Sequence, residues 1–134
     1  MKDLEAALSL VRGRPFDGQE YPWAVSVQQE MLSRIVDVVH TLATWHTAGD
    51  TPDWDAARAA VLRGLDIDET AEVLYRDWIA IEQAAGNHSG ARKAAARVTE
   101  VTRAYHISMD ARTEHAIAAV LEESRDLAAA HGDA

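Results

Sequence analysis

Apolar residues recur along this chain at steps of three and four, the period of an amphipathic helix, and six helical segments follow from that pattern and its stop signals. The first spans about residues 2–12, with Leu4, Leu8 and Val11 on one face. Gly13, Pro15 and Gly18 end it and open an irregular stretch that Phe16 and Tyr21 are expected to pin to the core. The second spans about 22–49 and starts at Pro22, a residue suited to a first turn because its missing N–H would lack a partner there anyway. Trp23, Val27, Met31, Ile35, Val38, Leu42 and Trp45 form its apolar stripe, and Gly49 stops it. At 1.5 Å per residue it is about 40 Å long and is the expected spine of the fold.

The turn Gly49-Asp50-Thr51-Pro52-Asp53 leads to a third helix over about 53–65, with Trp54, Ala57, Val61 and Leu65 on one face. A fourth spans about 69–85, with Ala71, Leu74, Trp78, Ile81 and Ala85 aligned and Tyr75 beside them; Gly86-Asn87 closes it. A fifth spans about 88–105 through Ala91, Ala95, Val98, Thr102 and Tyr105. A sixth spans about 111–130 through Ala116, Val120, Ser124 and Leu127, with Ile117 and Leu121 alongside. Trp23, Trp45, Trp54 and Trp78 all lie on apolar stripes and are expected in the core; any that is exposed would be an interface anchor.

The helices carry a repeat. Ala57-Arg58 and Ala91-Arg92 are 34 residues apart, as are Ala60 and Ala94, and each match follows a turn of Gly plus a polar residue. Thirty-four is the period of the tetratricopeptide repeat, in which small side chains at the crossing let antiparallel helices approach closely. The first unit has about three extra turn residues. The expected fold is all-α: one domain over 1–134, its antiparallel hairpins stacked as a tetratricopeptide-like right-handed superhelix of about six helices. The alternative is a plain antiparallel bundle with two similar hairpins.

Composition narrows the function more than the fold. With 134 residues the chain predicts one domain with a real core. It has no Cys, which excludes disulfides, cysteine nucleophiles and thiolate zinc sites. No run of about 18 apolar residues exists, so membrane insertion is not expected, and the first fifteen residues lack the apolar stretch of a signal peptide. A cytoplasmic location is the expectation. With 22 Asp plus Glu against 13 Lys plus Arg, the net charge of −9 opposes direct nucleic-acid contact.

Candidate chemistry is sparse. His40 and His46 are six residues apart and face different sides of a helix, and Asp37-x-x-His40 is a single pair where a di-iron bundle needs two Glu-x-x-His motifs. Asp66-Ile67-Asp68-Glu69 lacks the glycine and spacing of a calcium loop, and its acids suit the following helix N-terminus. Neither a Gly-x-Ser-x-Gly elbow nor a phosphate-binding glycine loop occurs. The expectation is therefore no catalytic residue, no metal and no cofactor. One basic patch stands out, Arg92, Lys93, Arg97 and Arg103 with Glu100 among them; it could receive an acidic partner or be a solvated face. If paired helices form a groove, Thr41, Thr44, Arg76, Glu82 and Gln83 are its candidate partner-binding residues, as polar neighbours of the core stripes.

Several segments, in order, resemble the bacterial transcriptional activator domain, a helical-repeat module of actinobacterial regulators. They are Ala6-Ala7-Leu8-Ser9-Leu10-Val11-Arg12-Gly13-Arg14-Pro15-Phe16, Tyr21-Pro22-Trp23-Ala24, the alanine-rich run from Ala56 to Asp68, and Glu72-Val73-Leu74-Tyr75-Arg76-Asp77-Trp78. The resemblance covers about Ala6 to Leu121. The chain departs from the family at Asp68-Glu69, where Asp-Pro is common, and over Tyr105–Asp110, which has no Pro. The resemblance implies a fragment of a regulator in which this module follows a winged-helix DNA-binding domain. It implies a non-enzymatic protein-interaction or oligomerisation role, with a protein partner or a second copy of the chain. The alternatives are a scaffold domain of an envelope-associated LysM-type protein, a freestanding helical adaptor, or a helical enzyme or ligand-binding protein with a polar pocket.

Overall fold

The computed structural model describes residues 22–132, with the side chains of 24–130. Five helices and no strand are found among the described residues: α1 (Pro22–Thr47), α2 (Trp54–Ile67), α3 (Glu72–Ala84), α4 (His88–Ala104) and α5 (Ala111–Gly132). The segment expected at 2–12, Phe16, Tyr21 and the Trp23 side chain lie outside the described residues. The fold there is all-helical, with five helices where the whole sequence predicts six.

Local chemistry sets the helix ends. The Asp53 carboxylate accepts from the Ala56 N–H at 3.0 Å, and the Asn87 side chain accepts from the Gly90 N–H at 3.0 Å, so α2 and α4 begin with the same cap. The two caps are 34 residues apart. The preceding turns differ in length: the Asp53 N–H bonds to the His46 carbonyl, seven residues back, and the Asn87 N–H to the Glu82 carbonyl, five back. The first unit therefore holds two extra residues where the sequence suggests about three. Gly49 and Gly86 take φ of +87° and +75° just after α1 and α3, the left-handed geometry in which glycine carries no Cβ penalty.

Several boundaries move from their expected places: the α1 helix ends at Thr47 rather than 49, and α5 ends at Gly132 rather than 130. The α3 helix starts at Glu72 rather than 69, because the Asp68 carboxylate accepts from both the backbone N–H and the hydroxyl of Thr70, a local turn that competes with helix. The α2 helix runs on to Ile67 rather than ending at 65, and Ile67 is buried.

The helices pack α1 on α2, α2 on α3, α3 on α4 and α4 on α5. In addition α1 touches α3 and α3 touches α5, while α2 and α4 do not touch. One core runs through these joints, from Val39 and Leu42 through Val61, Leu74 and Tyr75 to Val98 and Val120. Three helices come close together at Gly64 of α2. A Cβ there would stand 2.8 Å from Leu74 Cδ1 and 2.9 Å from Val39 Cγ1, so three helices meet where a side chain is missing. Arg58 of α2 and Glu82 of α3 close the neighbouring joint.

The stripes expected on α2, α3 and α4 are largely the buried ones, except that Ala85 and Tyr105 are exposed. On α1 the expected stripe is wrong by about a quarter turn. Trp45 is 55% exposed, Met31 and Val27 are exposed, and the inward arc is Leu32, Ile35, Val36, Val39, Leu42 and Ala43. The cause is that α1 meets both α2 and α3, which widens and rotates its buried arc toward β-branched and small residues that fit the double contact. On α5, Leu121 is also exposed, at 53%.

Candidate protein-interaction site

Among the concavities on the described residues, two bear on the expected sites. The larger, about 640 Å³, runs along the joint of α4 and α5. Its floor is Ala95, Ala96, Ala104, Ile117, Val120 and Leu121, and its rim carries Arg92, Glu100 and Arg103. Alanine on α4 makes the trough: small side chains at 95, 96 and 104 leave the space that larger ones would fill. The smaller hollow, about 270 Å³, lies between α1 and α3 and includes Thr44, Thr47, Trp54, Asp77 and Ala80.

The basic patch is not one surface. Arg92 and Arg103 line the α4/α5 groove. Lys93 and Arg97 are about 100–140° round the helix from Arg92, and Arg97 Nη2 lies 4.0 Å from Glu69 Oε2. The guanidinium of Arg92 meets no carboxylate among the described residues.

The five expected partner-binding residues also separate. Thr41 and Thr44 are exposed, and each hydroxyl donates to the carbonyl four residues back, Asp37 O at 2.8 Å and His40 O at 2.9 Å. Only Thr44 of the five lines the α1/α3 hollow. Arg76 Nη1 donates to Thr113 Oγ1 at 2.9 Å, and Gln83 Nε2 reaches Glu123 Oε2 at 3.4 Å, so both tie α3 to α5. Glu82 is 2% exposed and is withdrawn from any surface. It accepts from Arg58 Nε at 2.9 Å and Nη2 at 2.5 Å, and from Trp78 Nε1 at 3.2 Å. Those carboxylate contacts push the Arg58 pKa up, with the Glu82 bonds outweighing the opposing effect of burial.

One pair on the α1/α3 face was not singled out in the sequence. His40 Nδ1 lies 2.6 Å from Asp77 Oδ2, across 37 residues. Burial raises the Asp77 pKa, and the hydrogen bond from His40 opposes that rise without cancelling it. Tyr75, whose hydroxyl donates to the Glu69 carbonyl at 2.7 Å, also has its pKa raised by burial. The sequence signal for the first pair is the frame of the repeat, which places Asp77 on the α1 side of α3; Asp37-x-x-His40 drew attention to a neighbour on the same helix instead.

No group of three or more His, Asp or Glu side chains converges as a metal cage among the described residues. No described helix is long and apolar enough to cross a membrane. No protein-family model, curated protein or solved structure matches this chain.

Proposed function

We propose that this chain is a non-enzymatic protein-interaction or self-association module, the C-terminal helical-repeat domain of a bacterial transcriptional regulator acting in the cytoplasm. It contacts protein and leaves DNA to another domain. Its helices are stacked antiparallel hairpins of the tetratricopeptide type, turning as a right-handed superhelix. The packing pattern supports that geometry: the odd-numbered helices touch one another in a row and the even-numbered ones do not, as expected for inner and outer layers. The matching caps at Asp53 and Asn87 support a repeating unit.

The observation that carries the function is the groove. It is open and apolar, and arginines stand at its rim, which suits an amphipathic protein segment better than a small polar substrate. The net charge of −9 supports leaving nucleic acid to another domain. The link to transcription rests on the resemblance of the segments named above.

Two measurements test this. The immobilised full chain, presented to bacterial lysate, should retain a defined protein that Leu121→Glu or Ala80→Arg releases. A thermal-shift panel of nucleotides, metals and common cofactors should leave the chain unmoved. A ligand at about 100 times its Kd stabilises by about 2.7 kcal/mol, so a clear shift would replace the interaction module with a ligand-binding protein.

A further inference from the structure

The hollow between α1 and α3 joins an apolar floor to polar side chains of one kind. Ala43 of α1 and Ala80, Ile81 and Ala84 of α3 form the floor. Thr44, Thr47 and Asp77 supply the polar atoms. The Thr44 hydroxyl donates to the His40 carbonyl at 2.9 Å, and the Thr47 hydroxyl to the Ala43 carbonyl at 3.1 Å. Each hydrogen is spent on its own helix, so each oxygen has only lone pairs left to offer.

Asp77 is an acceptor with half its capacity unused. His40 Nδ1 lies 2.6 Å from Asp77 Oδ2, a bond that a neutral imidazole donates as well as a charged one. Asp77 Oδ1 accepts no hydrogen bond among the described residues. Arg76, next in the chain, is turned to Thr113 on α5. Burial raises the Asp77 pKa, so the folded chain keeps this carboxylate ionised at a cost that a cation beside it would lower.

The surroundings carry the same sign. From Ile35 to Ala57 the sequence has Asp37, Asp50, Asp53 and Asp55 and neither Lys nor Arg. No basic residue lines the hollow, whereas Arg92 and Arg103 line the α4/α5 groove. The two concavities therefore differ in the charge they receive.

The hollow also has a direction. Asp77 is level with His40, one turn before Thr44. The opposite end is closed by Trp54, which the bond from the Asp53 N–H to the His46 carbonyl holds beside the last turn of α1. Asp77 and Ala84 are seven residues apart, about 10 Å along α3. That is room for one extended side chain and its own backbone, and at about 270 Å³ the hollow is too small for a whole helix.

We propose that this hollow is a binding site for one arginine side chain of a protein partner, with the guanidinium on Asp77 and the aliphatic stem along the alanines toward Trp54. The inference takes from the function proposed above only that the partner is a protein, and it adds a second place of contact and its chemistry. A planar guanidinium serves a carboxylate and neighbouring hydroxyl oxygens at once, and its weak hydration makes it cheaper to desolvate than an ammonium. The net charge of −9 steers a basic segment toward the chain.

The test is a titration of N-acetyl-arginine-methylamide into the isotope-labelled 134-residue chain, followed by its amide and indole N–H NMR signals. The expected result is saturable shifts at Thr44, Thr47, Asp77 and Ala80 and at the Trp54 indole. The citrulline analogue keeps the shape, lacks the charge and should bind at least about tenfold more weakly. Asp77→Asn should raise the Kd at least about tenfold. Asp126→Asn, the same change at an exposed position on α5, should leave it within about twofold. Ala80→Leu, also at an exposed position, fills the hollow without altering charge; it should abolish the shifts and leave the thermal melt in place. Shifts that spread over the acidic surface without saturating, equal affinity for the citrulline analogue, or equal effects of Asp77→Asn and Asp126→Asn overturn the site. A lysate protein still released by Leu121→Glu would then keep the interaction module standing without it.

Discussion

Arg58 and Glu82, 24 residues apart in sequence, hold α2 to α3 through a guanidinium that meets both oxygens of a carboxylate 3% exposed. Burying that carboxylate is tolerable only because Arg58 and Trp78 together satisfy it. Arg58→Ala leaves a buried acid with only the Trp78 N–H and no countercharge, and should destabilise by about 3–5 kcal/mol in urea unfolding. Arg58→Met with Glu82→Leu should cost only about 1–3 kcal/mol, chiefly because the Trp78 N–H then lacks an acceptor. A double variant no better than Arg58→Ala would mean that the pair does more than neutralise itself.

The rotated face of α1 predicts opposite outcomes for two neighbours. Leu42 is fully buried, so Leu42→Ala should destabilise by about 2–5 kcal/mol. Trp45 is 55% exposed and contacts the His46 ring edge-on at 5.1 Å, so Trp45→Ala should cost under about 1 kcal/mol. Equal losses by chemical denaturation would return Trp45 to the core.

The three-helix crossing at Gly64 leaves no room for a methyl group. Val39, which is β-branched and stiff, cannot swing aside as a long side chain could. Gly64→Ala should lower stability by about 1–3 kcal/mol despite the better helix propensity of alanine. A rise in the unfolding midpoint would show that α1 and α2 are further apart than this crossing requires.

These outcomes also mark where the sequence was legible. The faces of α2, α3 and α4 could be read directly, because each helix buries a narrow arc: Ala57, Val61 and Leu65; Leu74, Trp78 and Ile81; Ala91, Ala95 and Val98. The face of α1 could not. Its burial is shared between two neighbours, and counting large residues favours Met31 and Trp45 over Val36 and Ala43. The repeat was visible in Ala57-Arg58 and Ala91-Arg92, but the partner of Arg58 was not, since nothing local marks a glutamate on α3 as buried. Arg92 was visible only as one of four clustered bases. The spacing of Arg92 and Arg103, eleven residues or about three turns, separates them from Lys93 and Arg97 once α4 has a neighbour.

Asp77 gives a pH prediction. Its folded pKa is raised from 3.8 because burial outweighs the bond from His40 and the charge of Arg76. The folded state therefore holds this proton more tightly than the unfolded chain. Asp77 is most favourable below pH 3.8, and its contribution falls as pH rises through the folded value. Asp77→Asn should remove that loss. Urea unfolding across this range should show the variant gaining on the wild type as pH rises, then a constant difference. A variant that loses ground over the same range would show that the interaction with His40 dominates.

Whether the open α4/α5 groove receives a protein segment can be measured through the absence of native cysteine. A single Leu121→Cys places one thiol on the groove, where a thiol-linked photo-crosslinker can be attached. Ala59→Cys, an exposed position on α2, serves as the control. Carrying that crosslinker, Leu121→Cys should capture a defined protein, from lysate or as a second copy, far more efficiently than Ala59→Cys, and Arg92→Glu at the groove rim in the same chain should reduce the capture. Equal capture at the two positions, or none at Leu121→Cys, would contradict a protein-binding groove.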